Sequence, residues 1–167
     1  TEELKNAGLW DNTLMILSSD NGGYVKAMKG YCNTTKWTDN LREDVGKGTT
    51  CFNGESGANN FPLRGGKYSN FEGGIRVNAF VSGGYLPESV KGTIINEPIH
   101  ISDWYGTMCG MAGVDPFDKT AHESNLPPVD SENVWPLISG VSQTSPRQTW
   151  LVHGNMYMSG EWKYVRG

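Results

Sequence analysis

Residues 13–23 read Thr13-Leu14-Met15-Ile16-Leu17-Ser18-Ser19-Asp20-Asn21-Gly22-Gly23. Leu14 to Leu17 form a continuous apolar run, the pattern of a strand covered on both faces, as in a largely parallel sheet. The strand expected over Thr13–Ser18 delivers two oxygen-bearing side chains, Asp20 and Asn21, to its C-terminal end, where open α/β sheets place their sites. Gly22 and Gly23 then permit a sharp turn or a close approach of backbone to a ligand. A carboxylate and an amide carbonyl are hard oxygen donors, suited to Ca²⁺ or Mg²⁺ rather than to a soft metal. The same residues also spell a strand followed by an ordinary Asp-Asn-Gly turn.

Residues 61–82 form the second informative stretch. Ile75, Val77, Ala79 and Val81 alternate with Arg76, Asn78 and Phe80, the period of a strand. Upstream, Gly65-Gly66 and Gly73-Gly74 bracket Lys67, and Arg64, Lys67 and Arg76 place three cations near a glycine-rich backbone. Such a loop presents N–H groups and an ammonium to a tetrahedral anion. A glycine-rich turn with solvated charges has the same composition.

Between these stretches, residues 24–60 are polar and follow neither helical nor strand period. A segment of that length is a rim over a pocket or a tolerated surface insertion. It contains Cys32 and Cys51, and a disulfide between them would staple it. It also contains Asn33-Thr34-Thr35, the only N-glycosylation sequon in the chain. Together these favour a secreted or luminal protein. Cys109 falls in an apolar helical pattern and reads as a buried thiol.

The remaining chain supports these two stretches. Residues 1–8 read as the end of a helix stopped by Gly8. Residues 102–113 read as a helix capped by Ser102 or Asp103, with Trp104, Met108 and Met111 on one face. Gly106 and Gly110, four apart, would let another element pack close. His100, just before it, is a structural hydrogen-bonded histidine or a metal ligand. Residues 115–133 read as loop, Val134–Gly140 as a short helix, and Ser142–Arg147 as a linker. Thr149–His153 and Trp162–Val165 read as two strands around a turn, the opening of a small antiparallel sheet. A start inside a helix with no preceding strand points to a missing N-terminal portion, and an end on a marginal hairpin is a second hint of truncation.

Composition sets outer bounds. The chain's 167 residues suit one domain or parts of two. A net charge of −4 with no basic run argues against a nucleic-acid surface. No apolar stretch reaches membrane-span length. The 22 glycines point to a loop-rich protein.

Six blocks in order carry a family resemblance: Ser18-Ser19-Asp20-Asn21-Gly22-Gly23, Phe61-Pro62-Leu63-Arg64-Gly65-Gly66-Lys67, Phe71-Glu72-Gly73-Gly74-Ile75-Arg76, Ile99 to Trp104, Val134 to Gly140, and Glu161 to Tyr164. The chain resembles the C-terminal half of a sulfatase of the alkaline-phosphatase superfamily, nearest the arylsulfatase B type. The resemblance implies an α/β fold with an alkaline-phosphatase-like mixed sheet and flanking helices. Residues 1–140 would be the C-terminal portion of the catalytic domain, with loop 24–60 inserted, and residues 141–167 the start of a small antiparallel subdomain. It implies that Asp20 and Asn21 bind a calcium ion and that Lys67 contacts the substrate sulfate. Arg64, Glu72, Arg76, His100, Asp103 and Trp104 map to structural positions.

The implied activity is hydrolysis of sulfate esters on a sulfated carbohydrate or an aryl group, in a secreted, lysosomal or other secretory-pathway setting. The family's nucleophile is a formylglycine made within a Cys-x-Pro-Ser-Arg motif. Cys32, Cys51 and Cys109 do not fit that motif, and Ser145-Pro146-Arg147 lacks its spacing. The formylglycine and the other metal-binding aspartates are therefore expected in an N-terminal half that is this chain's partner. Tyr105-Gly106 replaces a frequent Leu-Pro, and Asn78 a frequent proline. Two other readings stand beside this one. One is a catalytically incomplete, sulfatase-like extracellular module that binds glycans or serves a structural role. The other is a phosphoryl-transfer relative, against which the Lys67 block argues.

Overall fold

The computed structural model describes residues 1–25, 58–153 and 156–166. Cys32, Cys51 and Asn33, with the disulfide and glycosylation expectations placed on them, lie outside the described residues, as does most of loop 24–60. The elements in chain order are α1 (Glu2–Asn6), β1 (Met15–Ser18), α2 (Glu72–Ile75), β2 (Ala79–Ser82), α3 (Asp103–Ala112), α4 (Lys119–Glu123), α5 (Trp135–Ile138), β3 (Thr149–His153), β4 (Met156–Ser159) and β5 (Trp162–Val165), with 3-10 turns at Trp10–Asn12 and Glu88–Val90. The chain divides into two compact units, Leu17–Phe80 and the remainder, Thr1–Ile16 with Val81–Gly167.

The larger unit has a small apolar core. Leu86, Val134 and Ile138 are buried, and Leu14, Val81, Val90, Ile99, Trp104 and Trp135 pack against them. Helix α3 forms where the sequence places it and stops at Gly113, which sits in the left-handed region at φ 68°. Its packed face is Asp103, Gly106 and Thr107, whereas Met108 of the expected apolar stripe is largely exposed. The reason is the segment beside it. Ser131 Oγ accepts from the Gly106 N–H at 2.7 Å and donates to the Ser102 carbonyl at 2.6 Å. Those two backbone groups would otherwise bond to each other in the helix ladder, so the hydroxyl is inserted into the first turn. A Cβ on Gly106 would lie 2.8 Å from that hydroxyl, so the close approach expected at this glycine is what the structure uses.

Ser142–Arg147 is not a linker. Ser145 and Arg147 are buried, and polar composition misled because each polar group has an internal partner. Ser145 Oγ donates to the Pro98 carbonyl at 2.6 Å, and the Ser145 N–H donates to Glu97 at 3.0 Å. The Arg147 guanidinium donates from Nε to both oxygens of Asp103, at 2.7 and 2.9 Å, and from one terminal nitrogen to Asp130 at 2.8 Å. Asp103 also accepts the His100 N–H at 2.7 Å and the Glu132 N–H at 3.0 Å. Burial lowers the Arg147 pKa, but hydrogen bonds and charge from Asp103 and Asp130 raise it further, and the net direction is up.

Two more elements depart from the sequence reading. Helix α4 lies inside the expected loop 115–133, started by Asp118, whose side chain accepts the Ala121 N–H at 2.9 Å. The turn expected between the last two strands contains β4, giving a three-stranded antiparallel sheet in the order β3-β4-β5. A bulge between Leu151 and His153 shifts its register.

β1 pairs with β2 in a two-stranded sheet. The chain directions oppose: the Tyr85 N–H meets the Thr13 carbonyl at 3.2 Å, and the Ser19 N–H meets the Asn78 carbonyl at 3.0 Å. β1 is half-buried at Met15 and Ile16 and exposed at Leu17 and Ser18, so among the described residues it is not covered on both faces as its apolar run suggests. The strand of period two also begins later than its alternation. Glu72–Ile75 is a turn of helix closed by the Arg76 N–H on the Glu72 carbonyl at 2.8 Å, and pairing starts at Ala79.

Candidate active site

Asp20, Asn21 and Lys67 fall in the unit Leu17–Phe80, where three backbone segments meet. The first is the strap after β1. Ser19 Oγ donates to the Asn21 carbonyl at 2.9 Å, the Gly22 N–H donates to the Gly74 carbonyl at 2.9 Å, and the Gly23 carbonyl accepts the Lys67 N–H at 3.0 Å. The second is the loop from Asn60 to Asn70, which contains the cis Phe61–Pro62 bond. The third is α2, whose Gly73 N–H donates to the Arg64 carbonyl at 2.8 Å. A Cβ on Gly22 would collide with the Gly73 carbonyl oxygen, which is why this crossing requires glycine. Asp20, Asn21 and Lys67 thus stand on main chains that are hydrogen-bonded to one another.

Their side chains make few contacts among the described residues. Asp20 is exposed, and among the described residues its carboxylate takes no hydrogen bond or ion pair. Asn21 donates its amide nitrogen to the Gly22 carbonyl at 2.8 Å, and no described residue donates to its oxygen. Lys67 is exposed, with Nζ 5.5 Å from the centre of the Tyr68 ring and no carboxylate partner among the described residues. Tyr68 is held at φ 73°, a left-handed conformation that costs a non-glycine residue on the order of 1–3 kcal/mol. Such strain clusters at ligand-binding sites. Tyr24 meets Tyr68 edge-on at 6.1 Å.

Of the other two cations, Arg64 has its guanidinium carbon over the Phe71 ring, 4.2 Å from its centre, and Arg76 is exposed. Arg64 is thereby a packing residue of the loop. His100, Asp103 and Trp104 belong to the other unit, where His100 Nδ1 lies 2.8 Å from Ser102 Oγ and Asp103 binds Arg147. Cys109 is half-buried on α3, and its proximity raises the pKa of the Tyr105 phenol. Sequence reasoning missed Asn60. Its amide binds Gly23 and Gly65, yet its only signal is a place at the end of a polar segment, which carries no chemistry of its own.

The donor set fits a hard divalent cation. A free carboxylate and a free amide oxygen sit on adjacent residues, which suits Ca²⁺ or Mg²⁺. Among the described residues no group of three or more His, Cys, Asp or Glu side chains converges, so these two could supply only part of a ligand set.

The strap presents oxygen donors and the glycine-rich loop an ammonium, a donor set that would suit a divalent cation and an oxyanion. The chain belongs to the sulfatase family: the family model described as Sulfatase matches residues 1–114. Arylsulfatase J of Mus musculus is 35% identical over 112 residues, covering 67% of this chain and 14% of the relative. Steryl-sulfatase of Rattus norvegicus is 30% identical over 158 residues, covering 93% of this chain and 22% of the relative. The crystal structure of Ps i-CgsB in complex with k-i-k-neocarrahexaose superposes on 99% of this chain and 30% of its own, with a TM-score of 0.63 and 27% identity. The chain therefore spans less than a third of each of these relatives.

Proposed function

We propose that this chain supplies part of the active site of a sulfate ester hydrolase, with Asp20 and Asn21 as calcium ligands and Lys67 as the sulfate-binding cation. The observation that carries the reading is the Gly23 carbonyl. It accepts the Lys67 N–H at 3.0 Å and so ties the oxygen-donor strap to the anion loop. Hydrolysis adds water across the S–O ester bond and releases sulfate and an alcohol. Charge gathers on the sulfuryl oxygens as that bond breaks, and the exposed Lys67 ammonium, with no carboxylate partner among the described residues, is available to meet it. A bound calcium ion supplies Lewis-acid stabilisation of the same oxygens. Asp20 and Asn21 hold that ion's position relative to Lys67, and the locked main chains fix the separation before substrate arrives.

In this reading the nucleophile is a formylglycine contributed by an N-terminal part outside these residues, as the short coverage of the relatives allows. The fold is alkaline-phosphatase-like, with residues 1–140 in the catalytic domain and 141–167 opening the C-terminal subdomain. The substrate class is a sulfated carbohydrate, supported by the oligosaccharide bound to the solved relative, with aryl sulfates as the second class. The Asn33 sequon and the Cys32/Cys51 pair support a secreted or lysosomal setting. The described residues contain no helix long and apolar enough to cross a membrane.

The test is Lys67→Ala in the complete enzyme. We expect kcat/KM for a sulfate ester to fall about 10²- to 10³-fold, the loss typical of removing one transition-state charge stabiliser. An unchanged kcat/KM would overturn the assignment.

A further inference from the structure

We infer that Asn60 is a positioning residue for this site, clamping the Lys67 loop against the Asp20–Asn21 strap; the inference rests on the function proposed above. Its amide pairs with both backbone groups of one residue, accepting the Gly23 N–H on Oδ1 at 3.0 Å and donating from Nδ2 to the Gly23 carbonyl at 2.8 Å. The same Nδ2 donates to the Gly65 carbonyl at 3.1 Å. One side chain therefore spans both segments. Gly23 is two residues beyond Asn21, and Gly65 is two residues before Lys67.

The chemistry selects asparagine. The pairing with Gly23 needs an acceptor and a donor on one planar group, and the bond to Gly65 needs the second amide hydrogen. Aspartate offers no donor and would set a charge against two carbonyl oxygens. The clamp also has little slack. A Cβ on Gly66 would lie 2.6 Å from the Gly23 carbonyl oxygen and 3.0 Å from Asn60 Nδ2. Asn60 reaches no substrate in this account. It acts through the separation of the metal ligands from the ammonium, and misplacement of about 1 Å at a reacting centre is enough to cost about 10²-fold in rate.

The experiment compares Asn60→Ala and the isosteric Asn60→Asp with Asp20→Ala and Lys67→Ala in the complete enzyme. It reads kcat and KM for a sulfate ester, calcium affinity by titration with the metal alone, and the melting temperature of the calcium-free protein. We expect both Asn60 variants to lose about 10- to 100-fold in kcat and in calcium affinity, the effect of removing a residue that orients metal ligands. KM should change less than kcat, and the melting temperature should stay within a few degrees. Wild-type kcat and calcium affinity in either folded Asn60 variant overturns the inference. So does loss of fold in both, since a clamp between two loops leaves the rest of the unit standing. If Asp20→Ala and Lys67→Ala retain full activity, the proposed function fails and this inference falls with it. If those two lose activity while the Asn60 variants keep theirs, only the inference about Asn60 fails.

Discussion

Two charged clusters in this chain are built in opposite ways. In the larger unit, Asp103 is fully buried and Arg147 nearly so, and each charged head is consumed by protein partners. Asp103 takes the guanidinium and two backbone N–H groups, and Arg147 reaches Asp130 as well. In the unit Leu17–Phe80, the hydrogen bonds belong to the main chain of glycines 22, 23, 66, 73 and 74, while the Asp20 and Lys67 heads are left exposed. The difference separates two uses of charge. A buried carboxylate–guanidinium pair with its lone pairs satisfied holds elements together and has nothing left for a ligand. A rigid backbone that presents unpartnered charges has ordered the scaffold and left the heads available.

The largest effect on the comparison should come from Asp103→Ala. It leaves the Arg147 guanidinium buried with only the exposed Asp130 as a charge partner. Breaking such a pair costs about 3–5 kcal/mol, which is roughly 10 °C of melting temperature for a chain of this size. Calorimetry should show that drop, and a shift below about 2 °C would remove the buried cluster's structural role. Next, Gly22→Ala forces the strap off the Gly73 carbonyl and should cost about 1–3 kcal/mol of overpacking strain, together with most activity. Normal activity and stability there would mean that the crossing is loose.

Ser131→Ala should cost about 1–3 kcal/mol, because the Gly106 N–H and the Ser102 carbonyl lose the hydroxyl between them. Recovery of a direct bond between them would show as a smaller loss in urea unfolding. The smallest effect belongs to Glu88→Ala. Its pair with Lys91 is exposed, and exposed pairs contribute under about 1 kcal/mol. A larger loss would blur the contrast between buried and exposed charge.

Asp20, Asn21 and Lys67 stand out in the sequence because their chemistry sits beside glycine pairs, and the structure adds that their main chains are hydrogen-bonded to one another; their roles in a site are the proposal made above. The strand at residues 13–18, helix 102–113 and the short helix near 134–140 follow from local pattern. What the sequence concealed is tertiary. Ser145 and Arg147 look like linker until Glu97, Pro98 and Asp103 are seen to receive them. Gly106 faces Ser131 across 25 residues, so the packed side of α3 is decided by a partner that its own periodicity does not show. β4 reads as a turn in the sequence because Met156 to Ser159 is flanked by glycine and asparagine. Asn60 carries no signal at all until its amide is placed on Gly23.

Exposed, backbone-locked Asp20 is the proposed metal ligand, whereas buried Asp103 is bound to Arg147. The most direct measurement is calcium content and sulfate ester turnover on the same preparation of Asp20→Ala in the complete enzyme. The account predicts loss of bound calcium and a fall in turnover of at least about 10³-fold, in keeping with the several kcal/mol that a metal ion contributes. The calcium-free melting temperature should match the parent's. Full calcium occupancy with parental turnover would contradict it.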